Sequence, residues 1–212
     1  MSRLIAFGCS ITYGHGLPDC YQANRIPGPT PSVSAWPSLL AKELGLECIN
    51  LGECGSTNKG ILMKILGAKY KPGDIVVILW TFHQRASLFE DNGTRLDIIP
   101  ALTTDQLALD FYKVHGDFDL KMQSLFDIIH ANSFLRSKNI EVHNFSVDAG
   151  FEKFLRVRRP FIDSVLIRFM SYGEHWPIDY APDGKHPGTQ SHKILAAYML
   201  QYKNLQKEKH EN

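Results

Sequence analysis

Ile75-Val76-Val77-Ile78-Leu79-Trp80 is a run of six apolar residues with no polar residue among them. A strand with one wet face alternates apolar and polar residues. A continuous run implies a strand covered on both faces, as at the centre of a parallel sheet between two helix layers. The turn Lys71-Pro72-Gly73-Asp74 delivers the chain into it.

Other segments supply what such a strand needs. Leu4 to Phe7, ending in Gly8, and Glu47 to Asn50, ending in Asn50-Leu51-Gly52, read as buried strands followed by tight turns. Between them, residues 35–44 carry apolar side chains at helical spacing, with Ser34 as the expected N-cap and Gly45 as the stop. A second helix is expected from Thr57 or Asn58 to about Lys69, a third over Asp119 to Lys138 and a last one over Thr189 to Tyr202. Ile140 to Phe145 is a fourth strand, and the polar tail from Lys203 is expected to fray. Residues 90–104 read as a loop excursion, and 147–182 is a mixed stretch with an apolar patch at Val165 to Ile167 and no firm assignment. Alternating strands and helices with short connections predict a single α/β domain over 1–212, with ligands beyond the carboxyl ends of the strands.

Composition narrows the function classes. With 44% hydrophobic residues the chain can fill a core without a disulfide or metal staple. Its 23 basic and 22 acidic residues leave a net charge of +1, which offers no field for nucleic acid or an anionic membrane. The apolar runs fall far short of the roughly 20 residues that span a bilayer, and no signal-type segment is evident, so a cytoplasmic location is expected. Cys9, Cys20, Cys48 and Cys54 show no CxxC or CxxH spacing, and reduced, partly buried thiols are expected.

Four turns after strands or before helices carry chemistry. In Phe7-Gly8-Cys9-Ser10-Ile11-Thr12, Ser10 stands at the mouth of the sheet as a candidate nucleophile whose own N–H points into the same space. Taken alone, such a turn is more often a plain helix N-cap. Asn50-Leu51-Gly52-Glu53-Cys54-Gly55-Ser56-Thr57 lets the backbone bend and expose N–H groups that hold an oxyanion. Its glycine spacing is not a dinucleotide fingerprint. Trp80-Thr81-Phe82-His83-Gln84-Arg85 offers His83 as a donor to substrate oxygen, and Asp183-Gly184-Lys185-His186-Pro187 can set a carboxylate against one imidazole nitrogen and leave the other as a general base.

Gly-Cys-Ser-Ile-Thr, Asn-x-Gly-x-x-Gly-x-Thr, a polar turn after the third strand and Asp-x-x-His-Pro, in this order, resemble the blocks of the SGNH hydrolases, also called the GDSL family. The resemblance implies a three-layer α/β/α sandwich with a mostly parallel five-stranded sheet, hydrolysis of a small carboxylic ester through an acyl-enzyme, and no cofactor. It makes Ser10 the nucleophile and first oxyanion donor, Gly55 the second donor, His186 the base and Asp183 its orienting partner. The sequence departs from the family pattern at Cys9, where an Asp is usual, and at His83, which stands where the third block has Asn. Alternation from Asp74 directs His83 toward the space between Ser10 and Gly55, with Trp80 and Phe82 pointing the other way.

The expected substrate is a small-molecule ester, with an O-acetyl or short acyl group on a sugar or similar alcohol. An O-acyltransferase and a non-catalytic carbohydrate-binding protein on the same fold are the alternatives, the second favoured by the His83 departure. The rate is expected to fall with protonation of His186 near or somewhat above a free-histidine value of about 6.5. Cys9 reads as a small buried hydrophobe, and Arg156-Val157-Arg158-Arg159 as a solvated face. His15, His83 and His186 with Asp183 match no metal motif. No oligomeric state follows from the sequence.

Overall fold

A computed structural model of the chain describes residues 2–22, 26–100, 102, 106–157, 167–170, 172 and 176–210. Its elements run β1 (Arg3–Gly8), α1 (Ser10–Tyr13), α2 (Trp36–Glu43), β2 (Glu47–Asn50), α3 (Asn58–Gly67), β3 (Ile75–Trp80), β4 (Ala86–Phe89), β5 (Arg95–Ile98), α4 (Gln106–Val114), α5 (Asp117–Ser137), β6 (Glu141–Ser146), α6 (Ala149–Val157), β7 (Ile167–Phe169) and α7 (Thr189–His210). Five strands form a parallel sheet in the order β2-β1-β3-β6-β7, with β3 at the centre. The chain runs outward from β1 to β2 and then crosses back to β3. The carboxyl ends of β1 and β3 therefore flank the switch point where ligands bind in such sheets.

Strand alternation sorts the apolar side chains into two cores. Ile5, Phe7, Val76, Ile78 and Trp80 face α3, α5 and α6, where they meet Ile61, Ile65, Ile128 and Phe151. Leu4, Ala6, Val77 and Leu79 face α2 and α7, where they meet Trp36, Leu40, Leu195 and Met199. Burying a side chain of this size contributes about 1.5–3 kcal/mol, so β3, buried from Val76 to Trp80, anchors both layers.

Several boundaries differ from expectation for local reasons. Helix α2 takes Ala35, not Ser34, as its N-cap, because Pro37 in the first turn fits a start one residue later. Residues 86–98, within and beside the expected loop, form the antiparallel hairpin β4–β5, whose short strands have exposed positions that blur the alternation. Helix α4 buries Ala108 and Phe111 and exposes Leu107 and Leu109, which hides its period. Helix α7 continues through His210 where fraying was expected. The Val165 end of the apolar patch, Arg158 and Arg159 lie outside the described residues, whereas Ile167 opens β7. Cys9 and Cys20 are buried free thiols, and Cys48 and Cys54 are partly buried and free. No helix among the described residues is long and apolar enough to cross a membrane.

One buried side chain ties three of these elements together. Asn58, at the start of α3, accepts from Thr81 N at 2.9 Å and donates through Nδ2 to Thr81 O at 3.2 Å and to Ser124 Oγ of α5 at 3.0 Å. Asn58→Ala would leave these buried partners unpaired, at about 1–3 kcal/mol for each group. The expected loss is at least about 2 kcal/mol of unfolding free energy in urea titration with an unchanged slope. A loss under about 0.5 kcal/mol would show that the β3 turn does not depend on this side chain.

Candidate active site

The β1–α1 turn is held by close backbone approach. A Cβ on Gly8 would lie 2.0 Å from Thr12 Oγ1 and 2.9 Å from the Leu79 carbonyl, so no other residue fits there without displacement. The Cys9 carbonyl accepts from Thr12 N and Tyr13 N, which turns the chain and leaves the buried Ser10 at the carboxyl end of β1. The β2–α3 loop docks on this turn. Asn50 Nδ2 donates to Thr12 O at 2.7 Å, Glu53 N donates to Gly8 O at 3.0 Å, and a Cβ on Gly52 would sit 2.6 Å from Tyr13 N. Gly55 lies in this loop with φ +79, a left-handed conformation suited to glycine.

The segment before α7 brings His186 to Ser10. Asp179 accepts from Gln190 N at 3.0 Å and from Ser191 N at 2.7 Å, capping the helix and clamping the loop against it. Ala181 N donates to His186 O at 2.8 Å, closing a tight turn. Within it Asp183 Oδ1 accepts from Lys185 N and His186 N, and Asp183 Oδ2 faces His186 Nδ1 at 2.5 Å. The other ring nitrogen, Nε2, is 3.0 Å from Ser10 Oγ. Ser10, His186 and Asp183 are thus brought into one hydrogen-bonded line. Nδ1–H donates to the carboxylate, and Nε2 is free to accept from the serine hydroxyl.

Burial lowers the pKa of His186 below its ordinary value. Asp183 opposes this, the charges of His15 and Arg85 add to it, and the lowering prevails. This direction runs against the expected rate midpoint near or somewhat above about 6.5, because burial outweighs the Asp183 carboxylate. Burial pushes Asp183 upward, but the N–H groups and imidazole around it outweigh that and hold it lowered, so it is ionised at neutral pH. The His15 ring lies 4.5 Å from that of His186, and one ligand atom from each of His15, Asp183 and His186 lies within 4.8 Å of the others. His83, grouped with them in the sequence reading, is elsewhere.

The placement of His83 as an oxyanion donor is also corrected. Strand β3 ends at Trp80, and residues 82–85 form a turn in which Arg85 N donates to Phe82 O at 3.1 Å. Alternation stops there, so Phe82 packs with the α2/α7 core while His83 turns into the opposite layer, stacked with Phe151. Only 2% of His83 is exposed. Its Nδ1 faces Asp148 Oδ2 at 2.5 Å and its Nε2 faces Asp117 Oδ1 at 2.7 Å, so neither nitrogen is free for a substrate. Asp148 also accepts from His83 N and Phe151 N. Asp148 stands just beyond the fourth predicted strand, a location that marks candidate site residues, but its pairing with His83 is not visible in the chain order.

No family model matches the chain, and no curated protein matches it. Solved structures do share its fold. A G-D-S-L family protein from Desulfitobacterium hafniense DCB-2 superposes with a TM-score of 0.57 at 13% identity, covering 95% of this chain and 99% of that one. A member of the lipolytic protein G-D-S-L family from Veillonella parvula DSM 2008 gives 0.53 at 13% identity over 95% and 97%. An acetyl xylan esterase from the rumen bacterium Butyrivibrio proteoclasticus gives 0.58 at 14% identity, over 95% of this chain and 62% of that longer one. The chain therefore has the three-layer fold of the SGNH/GDSL hydrolases.

The His83 clasp has a pH signature. Burial disfavours the His83 imidazolium, but Asp148 and Asp117 outweigh it and raise the pKa, while both carboxylates are held below their ordinary range. A raised histidine stabilises the fold fully below about 6.5, and that contribution is lost as pH rises through the higher folded value. The lowered carboxylates stabilise above about 3.9, a contribution lost as pH falls through their folded values. The melting temperature of the native chain, measured against His83→Gln, should therefore show its largest advantage between about pH 4 and 6.5 and lose it toward pH 9. A constant difference across that range would mean an uncharged clasp.

Proposed function

We propose that the chain is a serine esterase of the SGNH type that hydrolyses a small carboxylic ester through an acyl-enzyme. The observation that carries the reading is the line from Ser10 Oγ through His186 to Asp183, with separations of 3.0 and 2.5 Å. In the proposed reaction Ser10 Oγ attacks the ester carbonyl carbon as its proton passes to His186 Nε2. The new imidazolium keeps its Nδ1–H on Asp183, which fixes the ring and stabilises the charge. Negative charge gathers on the carbonyl oxygen, for which the N–H groups of Ser10 and Gly55 are the proposed donors. The C–O bond to the alcohol breaks, and that oxygen takes the proton from Nε2. Water then repeats the sequence on the Ser10 ester, releasing the acid.

An acylated carbohydrate is the proposed substrate class. Its support is that one neighbour in fold is an acetyl xylan esterase. The acyl-enzyme requires that Ser10 be activated, so a fluorophosphonate probe should label the native chain on Ser10 and fail to label His186→Ala. Ser10→Ala and His186→Ala should each lower 4-nitrophenyl acetate turnover by roughly 10⁴-fold or more, with no further loss on combining them. Wild-type turnover in Ser10→Ala would rule out the nucleophile.

The direction of the His186 shift sets the acid limb of the rate. Because the neutral ring is the base and its pKa in the free protein is lowered, kcat/KM should hold as pH falls below the ordinary histidine value of about 6.5 and decline only at lower pH. A midpoint above about 6.5 would contradict the dominance of burial over the Asp183 carboxylate.

A further inference from the structure

Arg85 is a cation in the site that the reaction above does not use. The residue is half-buried at the end of the β3 turn, beside the switch point of the sheet. Its Nη1 donates to the carbonyl of Ser56, next to Gly55, at 3.3 Å, and its guanidinium carbon lies 5.4 Å from the centroid of the Phe82 ring. Phe82 in turn meets Tyr172 edge to face, with centroids 5.8 Å apart, and the Tyr172 hydroxyl donates to the carbonyl of Lys185, next to His186, at 3.1 Å. Arg85 is thus seated between the loop that carries Gly55 and the loop that carries the base.

Among the described residues no carboxylate lies within ion-pair distance of Arg85. Nearby Arg95 is different, since Glu53 and Asp97 neutralise it at 3.3 and 3.0 Å. Among the described residues one carbonyl engages one of the five N–H donors of Arg85, which leaves further donors for a ligand. Its charge also acts on His186, disfavouring the imidazolium that the proposed mechanism must form. A cation in this position works against the base unless an anion enters with the substrate. The transient oxyanion is a poor candidate for that role, because backbone N–H groups are already proposed to meet it.

We propose that Arg85 recognises a carboxylate carried by the ester substrate, so that the preferred substrates are carboxylate-bearing O-acyl esters such as those of hydroxy acids or sugar acids. This rests on the reading of Ser10 and His186 as the reacting pair. The guanidinium would bind the carboxylate through its further N–H donors. The bound anion would cancel the field on His186 and ease proton transfer from Ser10. Charge recognition and base strength are then coupled, and a neutral ester lacks both benefits.

Two matched pairs of esters test this. 4-Acetoxybenzoate and its methyl ester place the charge on the alcohol half. Mono-4-nitrophenyl succinate and 4-nitrophenyl butyrate place it on the acyl half. In at least one pair the native ratio of kcat/KM, charged over neutral, should exceed that of Arg85→Gln by about 10- to 100-fold, and Arg85→Lys should retain part of it. The pair that responds identifies the half that carries the carboxylate. Equal ratios in the native chain and Arg85→Gln for both pairs would overturn the proposal, including the case where the variant loses both esters alike. A readout without turnover separates the two readings: calorimetric titration of Ser10→Ala with 4-acetoxybenzoate and with succinate should weaken at least tenfold for one of them on adding Arg85→Gln. Arg85-dependent binding in a chain that hydrolyses none of the four esters would support carboxylate recognition and overturn the esterase reading alone. Binding indifferent to Arg85 would overturn the recognition.

Discussion

The site depends on how closely three backbone segments approach at the switch point of the sheet. Gly8 lies against Thr12 and the Leu79 carbonyl, and Gly52 lies against Tyr13 N, at distances that leave no space for a Cβ. Hydrogen bonds from Asn50 and Glu53 to Thr12 and Gly8 then lock the β2–α3 loop onto the β1–α1 turn. The two glycines set the spacing, and the parallel sheet sets the direction. Together they deliver Ser10 and Gly55 to the same end of the molecule, where the capped loop before α7 can bring His186 against the serine.

Two histidines in this fold show how the number of carboxylates around a ring decides its role. His186 has one carboxylate on Nδ1 and keeps Nε2 for Ser10, so it is oriented and still able to take a proton. His83 has a carboxylate on each nitrogen, which raises its pKa against the effect of burial, and it joins the β3 turn to α5 and α6. The first arrangement suits a base. The second is a clasp, and it also explains why the turn after β3 presents Arg85 rather than His83 to the site.

Much of this was legible in the sequence wherever periodicity or turn chemistry was strong. The run from Ile75 to Trp80 coincides with β3, and Glu47 to Asn50 coincides with β2, because a fully buried strand and a strand ending in Asn-x-Gly leave little ambiguity. Ser10, Asp183 and His186, which a resemblance to known motifs brought together from opposite parts of the chain, do meet in the structure. His83 failed because alternation was carried past the end of the strand into a turn, where side-chain direction follows local hydrogen bonds instead. Arg85, Asp148 and Asp117 owe their importance to contacts across distant elements, and no local pattern reports those.

The separation of Ser10 and His186 by 176 positions has a consequence for how the molecule matures. Strands β1, β2 and β3 with α2 and α3 can pair through contacts between neighbours in the chain, so much of the sheet can assemble early. The hydrogen bond between serine and imidazole must wait until α7 has docked beside α2 and drawn its capped loop to the mouth of the sheet. Ser10 and His186 are therefore joined by long-range packing and not by contacts between neighbours in the chain. On the proposed reading, activation of Ser10 requires this docked end of the chain, so labelling of Ser10 would report completed folding.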